Sequence, residues 1–164
     1  NVGFKNIKVG AYPEMHPDSR SMSSNIDWLK QKIDAGATSA ITQFFFDAKV
    51  FIEFREKCMK AGVNIPIIPG ILPIENYKKI KNMAERCGTT FPQHFNEQFA
   101  KINNENEENK LSIEISTKIC DKLIEEGVQN FHFYTLNKPT LTRQIISALG
   151  FSQFSLNPGA EIAR

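Results

Sequence analysis

Short apolar runs alternate along the chain with amphipathic stretches, in which apolar residues recur every three or four positions. A glycine directly follows three of these amphipathic stretches, at Gly36, Gly62 and Gly127, and an apolar run begins within a few residues of each. Glycine tolerates the left-handed backbone conformation that closes a helix, so the three positions predict helix ends that lead into strands. The pattern therefore predicts repeated β/α units and an α/β fold.

The apolar runs predict four strands, and the amphipathic stretches predict six helices. The strands are expected near residues 7–12, 40–46, 65–71 and 130–136. The helices are expected near residues 24–35, 49–61, 76–86, 92–102, 109–126 and 140–149. We expect the run 103–109, which is rich in Asn and Glu, to be a solvated loop. Several strands are apolar throughout rather than alternating, which is typical of a parallel sheet covered by helices.

Four β/α units form either a small open sheet or half of an eight-stranded barrel, which needs about 250 residues in all. Two features favour the half-barrel: the chain begins just before a strand, and polar or aromatic residues follow each predicted strand. These residues are Tyr12, Glu14, His16, Asp47, Pro73, Glu75, Asn137 and Lys138. Ligands bind at the carboxyl ends of the strands in both architectures, so we expect the functional residues to share that edge.

Charge and hydropathy exclude two classes of partner. The 20 basic and 18 acidic residues are dispersed, the net charge is +2, and no basic cluster is interleaved with aromatic residues. We therefore expect no nucleic-acid partner. No apolar stretch approaches the roughly 18 residues of a membrane span, and no signal sequence opens the chain. We therefore expect no membrane partner and a cytoplasmic location.

Cysteine and histidine spacing gives no sign of a disulfide framework or a metal site. Cys58, Cys87 and Cys120 are odd in number and widely separated, which suits a reducing compartment and structural thiols. His94 and His132 are far apart in sequence and show no ligand spacing. The sequence therefore predicts no metal.

Gln43 is the most informative single residue, because it places a primary amide inside the apolar run 40–46. An unpaired buried amide costs about 1–3 kcal/mol, so this side chain needs either a protein partner or a ligand. Its adjacent donor and acceptor match the edge of a pterin or a nucleotide base. A ligand contact and a core glutamine bonded to neighbouring backbone are both open at this point.

The loop that follows the first predicted strand is a second candidate. Tyr12 and His16 stand in a segment stiffened by Pro13 and Pro17, which could cradle a cofactor or could be ordinary packing and capping. Lys32, on the next helix, could reach a phosphate, although most helix lysines are solvated.

Four segments, taken together, resemble the methylenetetrahydrofolate reductase family in order and separation. They are residues 11–17 (AYPEMHP), 40–47 (AITQFFFD), 67–73 (IIPGILP) and 131–137 (FHFYTLN). That family is a flavin-dependent (β/α)₈ TIM barrel, and the chain resembles its C-terminal half. The resemblance implies that residues 1–150 supply the last four β/α units of the catalytic domain and that residues 151–164 are a C-terminal tail.

The resemblance also implies the activity: NADH or NADPH reduces bound FAD, which then reduces 5,10-methylenetetrahydrofolate to 5-methyltetrahydrofolate. NADH is the expected donor by analogy with bacterial members. The positions matched to flavin contacts are Tyr12, His16, Asn25 and Lys32. The positions matched to contacts with the folate, and for the first also with the nicotinamide, are Gln43, Lys79 and Lys138. The general acid, a glutamate, is expected upstream, so the chain alone is expected to be inactive, and a homo-oligomer is expected from the family.

The matched positions depart from the bacterial pattern in four places. Asn25 replaces an aspartate, Lys79 a glutamine, Met83 an aromatic residue and Lys138 an arginine, so the folate contacts differ more than the flavin contacts. Two alternatives follow. One is another flavin or pterin barrel enzyme, such as a proline dehydrogenase-like flavoprotein or a pterin-dependent methyltransferase. The other is an inactive half-barrel that acts only as a binding module.

Overall fold

The computed structural model describes residues 3–151, and its centre is one sheet of four parallel strands in the order β1-β2-β3-β4. The strands are β1 (Lys8–Ala11), β2 (Ser39–Phe44), β3 (Ile67–Ile71) and β4 (His132–Phe133). The helices are α1 (Met22–Asp34), α2 (Ala48–Lys60), α3 (Tyr77–Arg86), α4 (Gln93–Phe99), α5 (Glu105–Glu125) and α6 (Pro139–Ala148). The expected α/β fold with a parallel sheet is confirmed. The expected tail lies, apart from its first residue, outside the described residues.

Side-chain caps and glycines set the helix ends. Ser21 caps α1 and Asp47 caps α2, each through a side-chain oxygen that accepts a backbone N–H of the first turn. The glycines that follow α1, α2 and α5 have φ values of 109°, 82° and 82°, as the sequence predicts. Each β/α unit is therefore delimited by local chemistry that can be identified in the sequence.

The prediction of a solvated loop at residues 103–109 is wrong, because α5 begins at Glu105. The Asn104 side chain accepts the backbone N–H of Glu107 at 2.9 Å and caps the helix. Three glutamates stand in the first turn, where negative charge is favoured by the helix dipole. The polar residues of this run therefore cap and begin a helix rather than form a loop.

The last strand is much shorter than the expected run 130–136. β4 contains two residues and pairs with β3 through two register pairs, and Tyr134 adds one backbone hydrogen bond to Ile71 at 2.9 Å. Leu136 and Asn137 then adopt positive φ values of 46° and 64°, which turn the chain away from the sheet. The turn, rather than any loss of apolar character, ends the strand.

Two hydrophobic clusters hold the helices against the sheet. The smaller joins β1, β2, α1 and α2 around Leu29, Phe54 and Cys58. The larger is rich in aromatic side chains and includes Phe45 stacked on Phe51, with ring centroids 5.7 Å apart. Successive parallel strands joined by right-handed crossovers place their helices on one face of a sheet. Both clusters therefore belong to the helix-covered face.

The opposite face of the sheet carries residues that lie outside both clusters. In β1, Val9 and Ala11 pack into the smaller cluster, whereas Lys8 and Gly10, which alternate with them along the strand, are exposed. No helix among residues 3–151 is expected on this face, because right-handed crossovers between strands in this order place their helices on the other face. In the part of the chain that the structure describes, helices therefore cover only one face of the sheet.

The sheet has two outer strands whose side chains influence each other electrostatically. Its outer strands would be about 14 Å apart in a flat sheet, since neighbouring strands are about 4.8 Å apart. Burial and the charge of Lys8 on β1 lower the pKa of His132 on β4, and burial and Tyr12 raise the pKa of Tyr134. Side chains from the two edges of the sheet thus lie within electrostatic reach of each other.

A close approach of backbone to backbone joins the three strands β2, β3 and β4. The backbone N–H of Gly70 donates to the Thr42 hydroxyl at 2.9 Å, and the Tyr134 hydroxyl donates to the Thr42 carbonyl at 2.9 Å. The pairing of β2 with β3 shifts register between Ile41 and Phe44, directly at this contact. A Cβ on Gly70 would lie 2.3 Å from the Thr42 carbonyl oxygen and 2.6 Å from the Tyr134 ring. Only glycine therefore fits.

We expect Gly70→Ala to lower the free energy of unfolding by about 1–3 kcal/mol, because the added methyl group forces these backbones apart. Urea unfolding followed by circular dichroism measures the change. Gly10→Ala is the matched control, since a Cβ there meets no atom within 4 Å. Equal unfolding midpoints for the two variants would show that the Gly70 contact is not tight.

Candidate cofactor and substrate site

A cavity of about 350 Å³ lies at the carboxyl end of β1, between the strand and α1. All four positions matched to flavin contacts line it, and these are Tyr12, His16, Asn25 and Lys32. The first two come from the loop after β1 and the last two from α1. The β/α unit therefore brings together residues that are up to twenty positions apart in sequence.

Asn25 fixes the end of β1. Its buried side chain donates from Nδ2 to the Tyr12 carbonyl oxygen at 2.6 Å, and the Ser19 hydroxyl lies 3.4 Å from its Oδ1. An aspartate could accept hydrogen bonds here but could not donate to that carbonyl. The amide at this position is thus matched to a structural contact as well as to the cavity.

Lys32 places a positive charge in the cavity wall. Its Nζ donates to the Gly10 carbonyl oxygen at 2.9 Å and lies 5.9 Å from the centre of the Tyr12 ring. The ammonium retains two further donors that could face an anion. An anionic group such as a phosphate would suit this position.

His16 packs edge-on against Tyr12, with ring centroids 4.5 Å apart. Its Nδ1 accepts the backbone N–H of Asp18 at 3.1 Å and lies 3.6 Å from the Asp18 carboxylate. A neutral His16 that accepts at Nδ1 carries its proton on Nε2. The local turn therefore selects Nε2 as the donor for any partner of His16.

Gln43 is half-buried near the end of β2. Its Oε1 accepts the backbone N–H of Phe44 at 3.1 Å, as a core glutamine would. Its Nε2 donates no hydrogen bond within the part of the chain that the structure describes. Gln43 also lines a narrow gap of about 10 Å³ together with Tyr12, which is shared with the cavity. The acceptor half of the amide is thus used internally, and the donor half could serve a ligand.

Lys79 and Lys138 do not join this group. Lys79 is exposed in the first turn of α3 and lines an open depression with Asn82 and Arg86. Lys138 lines a separate cavity of about 520 Å³ and lies 3.5 Å from a carboxylate oxygen of Glu75. The structure therefore brings together the flavin-matched residues, and Gln43 beside them, but not these two lysines.

Two residues of interest carried no role from the sequence. Trp28, the only tryptophan of the chain, lines the cavity with 57% of its surface exposed, one helical turn before Lys32. Because Trp28 and Lys32 are four positions apart on a helix, they share one face of it, and the sequence alone could have placed Trp28 beside Lys32. Tyr134 reaches Thr42, the neighbour of Gln43, and this contact depends on a pairing across 92 residues that no local pattern reveals.

Two of the three cysteines, Cys58 and Cys120, are placed as structural thiols. Burial raises the pKa of Cys58 to about 11, and burial together with Asp121 raises the pKa of Cys120 to about 12. Because the thiolate is the nucleophile, both groups are unreactive near neutral pH. Residues 3–151 contain no group of three or more His, Cys, Asp or Glu side chains that could hold a metal ion.

Within residues 3–151, none of the helices combines the length and apolar character needed to cross a bilayer.

Comparison with known proteins adds the family. A family model described as methylenetetrahydrofolate reductase matches residues 3–150. The chain belongs to the methylenetetrahydrofolate reductase family. The expectation drawn from the four sequence segments is therefore confirmed.

Relatives of this reductase family cover most of the chain. The 5,10-methylenetetrahydrofolate reductase of Salmonella typhimurium is 42% identical over 145 residues, and that of Escherichia coli is 41% identical over 145 residues. Each match covers 88% of this chain and 49% of the relative. Methylenetetrahydrofolate reductase (NADH) 1 of Arabidopsis thaliana is 37% identical over 154 residues, covering 88% of this chain and 26% of the relative. The chain thus spans about half the length of the bacterial reductases that it matches.

A solved structure shares the fold. It is an uncharacterized protein from Clostridium thermocellum that binds two copies of 5-methyl-5,6,7,8-tetrahydrofolic acid. The match has a TM-score of 0.57 and 19% sequence identity, and it covers 89% of this chain and 53% of that one. At this identity the likeness concerns the fold alone.

We expect only Cys87 to react rapidly with Ellman's reagent at pH 8 in the folded chain, because it is half-buried whereas Cys58 and Cys120 are buried with raised pKa values. Absorbance at 412 nm should report about one fast thiol per chain, and all three after unfolding. Cys87→Ser should abolish the fast phase. A fast phase that survives this substitution would contradict the assignment.

Proposed function

We propose that this chain supplies the last four β/α units of a TIM-barrel enzyme that reduces 5,10-methylenetetrahydrofolate to 5-methyltetrahydrofolate with NADH or NADPH through FAD. The observation that carries the proposal is the convergence of all four flavin-matched residues on one cavity at the carboxyl end of a parallel strand. Membership of the family indicates the reaction, and the cavity is the binding site that we propose for the flavin.

The sheet supports the barrel part of this proposal. Its strands follow one another in sequence order, and both outer strands lack a second neighbour among the described residues. Four more strands that join the outer strands β4 and β1 would close an eight-stranded barrel. The bacterial relatives are about twice as long as the matched region, which leaves the length for those strands. Residues 1–150 would then be the second half of the catalytic domain.

The residues of the cavity fit a flavin nucleotide. When bound, FAD would supply hydride transfer from the nicotinamide to the folate. Lys32 would bind a phosphate of the cofactor, since its ammonium is already held at the cavity wall by Gly10. Tyr12 and His16 would pack against the cofactor, with His16 donating from Nε2. Asn25 would hold Tyr12 in place through its 2.6 Å hydrogen bond.

Gln43 would orient the reacting partner. Its Nε2 is available to donate, while the bond from Phe44 to Oε1 fixes the plane of the amide. A pterin edge and a nicotinamide carboxamide both offer an acceptor to such a donor. One side chain could therefore serve the two substrates in turn, next to Tyr12 and thus next to the flavin site.

Lys79 and Lys138 would serve the acidic tail of the folate. Lys138 is paired with Glu75 at 3.5 Å, so a carboxylate ligand would have to compete with that glutamate. The folate partner itself is supported by the Clostridium thermocellum protein of the same fold, which binds a methylated folate. A homo-oligomer and a cytoplasmic location stay predictions, as does NADH as the donor, which the name of the Arabidopsis relative supports.

Lys32→Ala should weaken FAD binding by about tenfold, because it removes one charge-assisted contact with a phosphate. Titration of the chain with FAD, followed by the emission of its only tryptophan, Trp28, in the cavity wall, measures the dissociation constant. Lys30→Ala is the matched control, since Lys30 is exposed on the same helix and does not line the cavity. A midpoint shared by Lys32→Ala and the wild type would exclude Lys32 from the flavin site.

The activity itself is tested in the polypeptide that includes the preceding half of the barrel. There, Gln43→Ala should slow both the reduction of FAD by NADH and its reoxidation by methylenetetrahydrofolate by about tenfold or more, with FAD still bound. Stopped-flow absorbance near 450 nm follows each half-reaction. Gln98→Ala, an exposed amide on α4, is the control. Unchanged rates would make Gln43 structural, and a wild-type protein that never takes up FAD would remove the proposed function.

A further inference from the structure

The loop that carries Tyr12 and His16 is strained at its centre. Met15 has a φ of 101°, a region that disfavours residues with a Cβ. Such a conformation costs about 1–3 kcal/mol and persists only where the surroundings impose it. The Met15 side chain is 40% exposed, so its own packing is a weak restraint. Another contact must therefore hold the loop in this shape.

Glu14 makes that contact. Its Oε1 accepts the backbone N–H of Thr90 at 2.9 Å, across 76 positions of sequence. The hydrogen bonds of Tyr12 and His16 go instead to Asn25 and to the local turn. Glu14 is thus the side chain that ties the middle of the loop to the connection between α3 and α4.

The anchor point is itself rigid. Thr89, next to Thr90, is buried and its hydroxyl donates to the Phe44 carbonyl oxygen at 3.3 Å. Phe91, on the other side, packs edge-on against Phe46 with ring centroids 4.9 Å apart. The Thr90 N–H is therefore a donor whose position is fixed relative to the end of β2, where Gln43 lies.

We propose that Glu14 is the positioning residue of the flavin loop: by accepting the Thr90 N–H, it holds Tyr12 and His16 in the wall of the cavity. The proposal rests on the proposed function, because it assumes a flavin in that cavity. It also links the loop to the strand end that carries Gln43, through one short connection.

The second carboxylate oxygen shows which property of Glu14 matters. Oε2 is buried and has no hydrogen-bond partner among residues 3–151. The described contacts thus use one acceptor atom of Glu14 and nothing that requires its negative charge. An amide of the same length keeps that acceptor, whereas a shorter carboxylate keeps the charge and loses the reach.

The test uses Glu14→Gln and Glu14→Asp in the polypeptide that includes both halves of the barrel. Glu14→Gln should bind FAD within about twofold of the wild type, whereas Glu14→Asp and Glu14→Ala should raise the dissociation constant by about tenfold, as expected for the loss of one good hydrogen bond. Glu97→Ala, an exposed glutamate on α4, is the control. Weak binding by Glu14→Gln, or normal binding by both Glu14→Asp and Glu14→Ala, would overturn the proposal.

A second measurement needs no flavin. Hydrogen exchange of the Thr90 amide can be followed by NMR in the 164-residue chain. Exchange should be about tenfold faster in Glu14→Asp than in the wild type and unchanged in Glu14→Gln. Equal exchange in Glu14→Asp and the wild type would overturn the anchor. A wild-type protein that takes up no FAD but shows the expected exchange would count against the proposed function and leave the anchor in place.

Discussion

The contact between Gly70 and Thr42 is the constraint on which the geometry of the sheet depends. It brings two strands closer than side chains would allow, and the space that it leaves is filled by the Tyr134 ring, whose hydroxyl is bonded to Thr42. The contact therefore fixes β2, β3 and the end of β4 relative to one another. The register shift between β2 and β3 lies at the same residues. Because Gln43 follows Thr42 directly, this contact positions the backbone that carries the Gln43 side chain.

The cavity beside β1 depends on a different kind of restraint. Apart from Phe54 of α2, its walls come from one β/α unit, so their positions follow from the path of that unit and from the bond between Asn25 and the end of β1. Tyr12 faces both the cavity and the gap beside Gln43. A molecule bound against Tyr12 would therefore be close to Gln43, which is what a cofactor and a substrate that exchange hydride require.

The sequence was sufficient to predict the order of all the helices and strands, because periodicity, caps and closing glycines are local. It also placed the four flavin-matched residues in one β/α unit, and the structure brings them to one cavity; their role as flavin contacts stays a prediction. It failed at residues 103–109, where polar composition hid a capped helix start. It also failed to show that Lys138 is paired with Glu75, or that Glu14 is bonded to Thr90, because these contacts join segments that are distant in sequence.

The shortness of β4 has a consequence for solubility. An outer strand of a sheet presents unpaired backbone groups that can recruit the strand of another molecule, and long flat edges are the usual start of aggregation. Here one edge is a strand of two residues that ends in a turn with positive φ, and the other includes an exposed lysine, Lys8. Each edge thus offers a poor template for pairing with the strand of another molecule.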